Sequence, residues 1–340
     1  MLKGTVVGFG RMGITHYSIL NPHPYVNFVA VCDSSSFIRN NVSKYFGIEA
    51  YSDYNKMFRE IKPDFTIVAV PTLRHMDVIK SAISNNTNVF VEKPFTLNPN
   101  QGQELLNLLD GKGLVHQVGY VVRFSDVFRK VKEIITQKML GELYSFKMEM
   151  NGPTVLHGAK KSWRSSKSEG GGCLYDFASH SIDLINYLIG APDNIVGTVL
   201  QKIFSNNVED AVSSTFIYNN GLRGNLIVNW SDFSYRKTGY NFEVLGKKGK
   251  IIADLRTLKV FFRQKPDTKE YTIGWNIQYF PSLAEPVRYF VRGFEFTRQL
   301  DYFIDCILQH RSSEVCSFND GFTTDSIIEQ MRLDCMRKYN

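Results

Sequence analysis

The sequence predicts an α/β domain with a doubly wound parallel sheet, followed by an α+β domain with a large, mostly antiparallel open sheet. Three observations predict it. Up to about residue 120, short apolar runs alternate with helix-length amphipathic stretches, as parallel strands joined by crossover helices do. A glycine-rich turn, Gly8–Gly13, sits between the first apolar run and the first amphipathic stretch. Beyond it, strand-like segments follow one another across turn signals such as Asn219-Asn220-Gly221, which suits antiparallel pairing. A chain of 340 residues is comfortable for two domains. The expected division is 1–120 and 121–340, with the closing helix free to pack back on the first domain.

In order, the first domain reads as strand Gly4–Gly8, helix Arg11–Leu20, strand Asn27–Cys32, and a helix over Phe37–Phe46 that ends at Gly47. Helix Tyr54–Ile61, the buried strand Phe65–Val70, helix Met76–Ser84, strand Val89–Val91, helix Gln101–Leu109 and strand Val115–Gly119 complete it. Then come helix Asp126–Gln137, strand Leu143–Met150, a polar glycine-rich loop from Asn151 to Gly172 and a helix over Leu174–Leu188. Strands are expected at Ile195–Gln201, Ala211–Tyr218, Leu222–Asn229, Asn241–Leu245, Lys250–Asp254 and Lys259–Arg263. Helices near Phe290–Gln309 and Gly321–Arg337 close the chain.

Composition narrows the class. With 43% hydrophobic and 21% charged residues, the chain has material for a sizeable core. No apolar run approaches the ~18–20 residues needed to cross a bilayer, and no signal peptide precedes the first strand, so no membrane role is expected. Cys32, Cys173, Cys306, Cys316 and Cys335 are odd in number and lack metal-site spacing. They sit mostly in apolar segments, so they read as buried reduced thiols of a cytoplasmic protein. The formal charge of +7 is spread along the chain rather than gathered on one basic face. An anionic small molecule accounts for it at least as well as nucleic acid, which is not expected as a partner.

The motif Gly8-Phe9-Gly10-Arg11-Met12-Gly13 is G-x-G-x-x-G between a strand and a helix. Gly8 permits the tight turn, Gly10 lets backbone approach a pyrophosphate, and Gly13 lets helix pack on strand, with the phosphates at the helix's positive end. Asp33 ends the next strand, about 20 residues on, where a carboxylate holds the adenosine ribose hydroxyls. It would repel a 2′-phosphate, which favours NAD over NADP. Ser34, Ser35, Ser36 and Arg39 follow and could take that phosphate if Asp33 turned away. Val70-Pro71-Thr72 with His75, and Glu92-Lys93-Pro94, stand at the carboxyl ends of later parallel strands, where a bound nicotinamide would be lined. A cis Lys93–Pro94 bond would suit such a turn.

A second cluster follows the glycines at 170–172. On a helix from Leu174, Asp176, His180 and Asp183 share one face. A hydroxyl being oxidised must lose a proton, and histidine suits that task near neutral pH. Asp176 could bind substrate or bias the imidazole, and Lys93 could polarise the oxygen. The alternative is a satisfied core histidine with an aspartate favoured by the helix dipole. The pair could contribute two metal ligands, but no third His or Cys stands at a suggestive distance, and this chemistry needs no metal.

These motifs together resemble the Gfo/Idh/MocA family: Gly8–Gly13, Glu92-Lys93-Pro94, Gly119-Tyr120-Val121-Val122-Arg123-Phe124, Trp163-Arg164, the run through Asp176 and His180 to Asp183, and Asp320-Gly321. The resemblance implies a Rossmann domain followed by an open sheet that often mediates dimers or tetramers. It implies Lys93, Asp176 and His180 as the catalytic set, with His180 the acid/base. It places Phe9, Arg11, Met12, Asp33, Pro71, Thr72, His75, Glu92 and Lys93 at the cofactor, and Arg123, Trp163 and Arg164 near the substrate. Val121-Val122 departs from the family, where a polar or basic residue often stands beside the arginine.

The expected activity is NAD(P)-dependent interconversion of a secondary hydroxyl and a ketone on a sugar or polyol. Lys160, Lys161, Arg164 and Lys167, opposed only by Glu169, could receive an anionic substrate such as a nucleotide-activated sugar; a solvated basic loop is the plain alternative. Inositol or a free monosaccharide is the other enzymatic reading. A non-catalytic cofactor-sensing regulator on the same scaffold would be expected to have lost the catalytic set. Reduction of a pyrrole pigment suits the Asp176/His180 pair less well.

Overall fold

The computed structural model describes residues 1–154 and 163–337. In chain order the elements are β1 (Leu2–Val7), α1 (Arg11–Leu20), β2 (Val26–Cys32), α2 (Ser36–Phe46), β3 (Glu49–Tyr51), α3 (Tyr54–Ile61), β4 (Phe65–Val68), α4 (His75–Ser84), β5 (Asn88–Val91), α5 (Pro99–Leu109) and β6 (His116–Val118). They continue with α6 (Asp126–Thr136), β7 (Leu143–Asn151), α7 (Ser179–Leu188), β8 (Asn194–Gln201), β9 (Ala211–Ile217), β10 (Arg223–Asn229), β11 (Gly239–Gly246), β12 (Gly249–Ala253), β13 (Thr257–Phe262) and β14 (Gly274–Tyr279). The last are α8 (Phe280–Leu283), α9 (Phe294–Leu308) and α10 (Phe318–Arg337).

The chain divides into two compact units: Met1–Val121 with Pro286–Asp325, and Val122–Glu285 with Ser326–Asn340. The first holds a six-stranded parallel sheet in the order β3-β2-β1-β4-β5-β6. Strand order reverses at β1, so the carboxyl ends of β1 and β4 open the crevice where such sheets bind ligands. Segment 286–325, which the sequence reading assigns to the second domain, is part of this unit. Its helix α9 sets Leu300, Phe303 and Ile304 into the core beside Val6, Phe65 and Phe90. The Phe303 ring lies 5.9 Å from that of Phe65 and 5.8 Å from that of Phe90, both edge-on. β3, three residues long, is too short to leave a periodic signal in the sequence.

The second unit holds an eight-stranded sheet, β14-β13-β12-β11-β7-β10-β9-β8, antiparallel except for the β7–β10 pair. Its strands bury one face. In β10, Gly224, Leu226 and Val228 point inward and Arg223, Asn225 and Ile227 outward. A Cβ on Gly224 would run into the Phe146 ring of the neighbouring parallel strand, so that close pairing requires glycine. α6 and α7 pack against the sheet.

Candidate active site

The glycine loop is built by close approach. Gly8 has φ +89°, and a Cβ there would meet the Ala69 carbonyl oxygen at 2.7 Å, so the ends of β1 and β4 touch through backbone. A Cβ on Gly13 would strike the Gly8 carbonyl, whereas Gly10, at the start of α1, faces open space. Asp33 then holds the loop. Its Oδ2 accepts the Phe9 N–H at 2.8 Å and its Oδ1 the Ser35 N–H at 2.8 Å. Each carboxylate oxygen can accept a further bond, which leaves acceptors for a diol. Ser34 is exposed, and Arg39 NH1 donates to the carbonyls of Asp33 (2.7 Å) and Ser34 (2.8 Å). An open glycine cradle at a helix N-terminus, with a fixed carboxylate at the next strand end, fits a dinucleotide.

At the end of β4, exposed Pro71 opens a 3₁₀ turn over Thr72–Arg74, and the Thr72 side chain is buried. His75 corrects its expected placement. Its ring is 1% exposed, with Nδ1 3.1 Å from the carbonyl oxygens of Pro94 and Phe95 and Nε2 3.0 Å from that of Val70. It ties the end of β4 to the turn after β5 rather than presenting itself to a ligand, and burial lowers its pKa. Glu92 is likewise held by protein. Its Oε1 stands 2.5 Å from Nε2 of buried His16, and its Oε2 accepts the Lys93 N–H at 3.3 Å. Lys93 is half-buried, and the Lys93–Pro94 bond is cis.

Two residues of α10 hold this turn: Gly321, from the Asp320-Gly321 motif, and Asp325, which no sequence signal marked. Gly321 of α10 lies where a Cβ would meet Phe95 Cβ and Val118 Cγ2, both at 2.8 Å. Asp325 Oδ2 accepts the N–H (2.7 Å) and hydroxyl (2.9 Å) of Thr96. Burial raises the Asp325 carboxyl to about 8, against about 3.9 in an unfolded chain. The folded protein thus keeps a proton that the unfolded chain releases from about pH 4 upward. This contribution to stability is full below about pH 4 and is lost as pH rises through about 8. Asp325→Asn keeps an acceptor for Thr96 and cannot ionise. It is expected to shrink the fall in melting temperature between about pH 5 and about pH 8.5; a fall as steep as in the parent chain would contradict this.

In the second unit, the helix carrying Asp176 and His180 begins with a π turn, Leu174–Ala178, that passes into α7. A wider turn brings residues four apart closer to one line than an α-turn does. Asp176 is buried and His180 half-buried. The turn starts on a glycine at φ +108°, Gly172, against which the Glu209 side chain lies. Glu209 accepts the Leu174 N–H on Oε1 at 2.9 Å and the Cys173 N–H on its carbonyl at 2.9 Å, and so caps the helix. Burial raises the Glu209 carboxyl.

Arg164 stacks on Trp163, Cζ 4.6 Å from the ring centre, and donates from Nε to Asp176 Oδ2 at 2.7 Å. The glycines make this fold-back possible: Gly171 lies against the carbonyls of Trp163 and Arg164, and the Gly172 N–H donates to the Arg164 carbonyl at 3.1 Å. Tyr240 of β11 is buried, and burial together with Asp176 and Asp183 holds its phenol protonated. Lys160 and Lys161 lie outside the described residues.

Arg123 also departs from its expected role. It is 3% exposed and forms a two-pronged pair with Asp183, Nε to Oδ2 at 2.8 Å and NH2 to Oδ1 at 2.7 Å. Asp183 therefore serves this buried pair.

The fold and the glycine cradle define a dinucleotide-binding oxidoreductase scaffold. Residues 2–120 match the model of the oxidoreductase family with an NAD-binding Rossmann fold, and residues 128–252 match the GFO/IDH/MocA C-terminal domain. The chain belongs to the Gfo/Idh/MocA family, and it is an NAD-dependent oxidoreductase. It is 29% identical to scyllo-inositol 2-dehydrogenase (NAD(+)) of Bacillus subtilis over 74% of this chain and 73% of that one. It is 22% identical to 2,7-anhydro-N-acetylneuraminate hydratase of Escherichia coli over 80% of this chain and 73% of that one. A levoglucosan dehydrogenase solved with NADH and levoglucosan superposes with a TM-score of 0.85 at 20% identity, covering 99% of this chain and 97% of that one. No described helix is long and apolar enough to cross a membrane.

Proposed function

We propose that the protein interconverts a secondary hydroxyl and a ketone on a sugar or polyol, with Lys93, Asp176 and His180 as its catalytic set. The observation that carries this reading is the Asp176/His180 pair, four residues apart on a capped, largely buried helix start in a family of NAD-dependent oxidoreductases. When bound, the nicotinamide supplies the hydride acceptor or donor. His180 takes the hydroxyl proton on its imidazole during oxidation and returns it in the reverse direction. Lys93 Nζ steadies the oxygen as charge develops, and Asp176, oriented by Arg164, hydrogen-bonds the reacting hydroxyl or a neighbouring one.

Two related names, an inositol dehydrogenase and a levoglucosan dehydrogenase, point to an uncharged polyhydroxylated ring. Arg164 faces Asp176, which favours such a ring over the anionic, nucleotide-linked sugar that the basic loop suggested. The test is a panel of inositols, anhydrosugars, monosaccharides and nucleotide sugars with NAD, followed at the NADH absorbance. Turnover of a neutral polyol is expected. No reaction with any member would favour a cofactor-sensing protein without catalysis.

Asp33 supports NAD over NADP. NADH is expected to bind at least about tenfold more tightly than NADPH in a fluorescence titration, and the reverse order would overturn this role. The outward face of the second sheet supports self-association: Trp275 of β14 lies 5.3 Å from Phe261 of β13, with Ile277 and Tyr279 also exposed. All five cysteines are buried and free, which suits a cytoplasmic setting.

A further inference from the structure

The segment that returns to the first unit places a second cation beside the glycine loop. Arg292 stands two residues before α9. Its guanidinium stacks over Phe296, Cζ 4.6 Å from the ring centre. Its NH1 reaches Thr15 Oγ1 at 3.3 Å and Met12 Sδ at 3.4 Å, both on α1. The Thr15 hydroxyl proton goes to the Arg11 carbonyl at 2.8 Å, so the oxygen's lone pairs are left for Arg292.

Burial, and then repulsion from Arg11, hold Arg292 below the usual arginine range, opposed by Glu92 and Glu295. Among the described residues neither arginine has a carboxylate within ion-pair distance. The Glu92 carboxylate already serves His16 and the Lys93 N–H. Two guanidinium groups without a carboxylate partner repel one another near the positive end of α1. A ligand carrying adjacent negative charges would remove that repulsion, and the planar fork of arginine suits phosphate oxygens.

We infer that Arg292 is a cofactor-binding residue whose guanidinium holds a pyrophosphate oxygen of the dinucleotide across from the N–H groups of α1. The inference rests on the dinucleotide site at Gly8–Gly13. Segment 286–325 then completes that site as well as the hydrophobic core. Stacking on Phe296 fixes the guanidinium before any ligand arrives, which lowers the ordering cost of binding.

The test titrates the full chain and its Arg292→Gln variant with NADH, ADP-ribose and adenosine. Arg292→Gln is expected to weaken NADH and ADP-ribose alike, by about tenfold or more, because each carries the pyrophosphate. Adenosine, which lacks it, is expected to bind unchanged. Arg292→Lys keeps the charge without the fork and should fall between the two; it also serves if Arg292→Gln does not fold. An NADH affinity within about twofold of the parent in a folded variant overturns the inference, as does an equal loss for adenosine. Failure of the parent chain itself to bind NADH would instead overturn the dinucleotide reading, and is seen before any variant is made.

Discussion

Replacing His180 by alanine is expected to lower kcat by about 10²- to 10⁴-fold, the usual worth of a positioned acid/base, while the NADH dissociation constant stays within about twofold. In the proposed site Gly8–Gly13 and Asp33 hold the dinucleotide, and none of them depends on the imidazole. The pH profile separates an acid/base role from a structural one. The parent's rate should carry a pH limb from the imidazole, and the variant's residual rate should lack it. Asp176→Asn should keep the limb and lose rate, because it leaves His180 in place. Turnover of His180→Ala within about tenfold of the parent would remove His180 from the chemistry.

The largest effect on stability is expected at Arg123. Its guanidinium and the Asp183 carboxylate are both almost fully buried and answer each other on two bonds. Removing one partner leaves an uncompensated charge in a poorly polar interior. Arg123→Ala should therefore cost about 3–5 kcal/mol in chemical denaturation. Lysine cannot reproduce the fork and should recover little of it. An isosteric neutral pair, Arg123→Met with Asp183→Asn, should be milder than either single change. If Arg123→Ala instead keeps its stability and raises only the substrate KM, the arginine belongs to the ligand after all.

Much of this was legible in the residues themselves, because the signals are local. A glycine motif between a strand and a helix, an acidic residue at the next strand end, and an aspartate and histidine four apart need no knowledge of the rest of the chain. What escaped depends on partners distant in sequence. His75 reads as a strand-end ligand until the carbonyls of Val70, Pro94 and Phe95 are found around it. Arg123 reads as a substrate contact until Asp183, sixty positions on, meets it. Arg164 reads as one charge of a basic loop until the glycines fold it back onto Asp176. The π turn at Leu174–Ala178 escaped because its apolar pattern is that of an ordinary helix. β14 alternates as a strand should, yet it exposes Trp275, Ile277 and Tyr279, which mutes the contrast that marks a buried face.

The return of residues 286–325 to the first unit also sets a timetable. During synthesis, the six-stranded sheet is complete in sequence once β6 has been made, but the face carrying Phe65 and Phe90 stays open to water until Phe303 arrives. The ribosome must first produce residues 122–285, the larger part of the second unit. Late, long-range closure of this kind slows folding and prolongs the exposure of sticky surface. A fragment ending at residue 121 would keep that exposure permanently and should aggregate, even though it contains every strand of its sheet and the complete glycine loop.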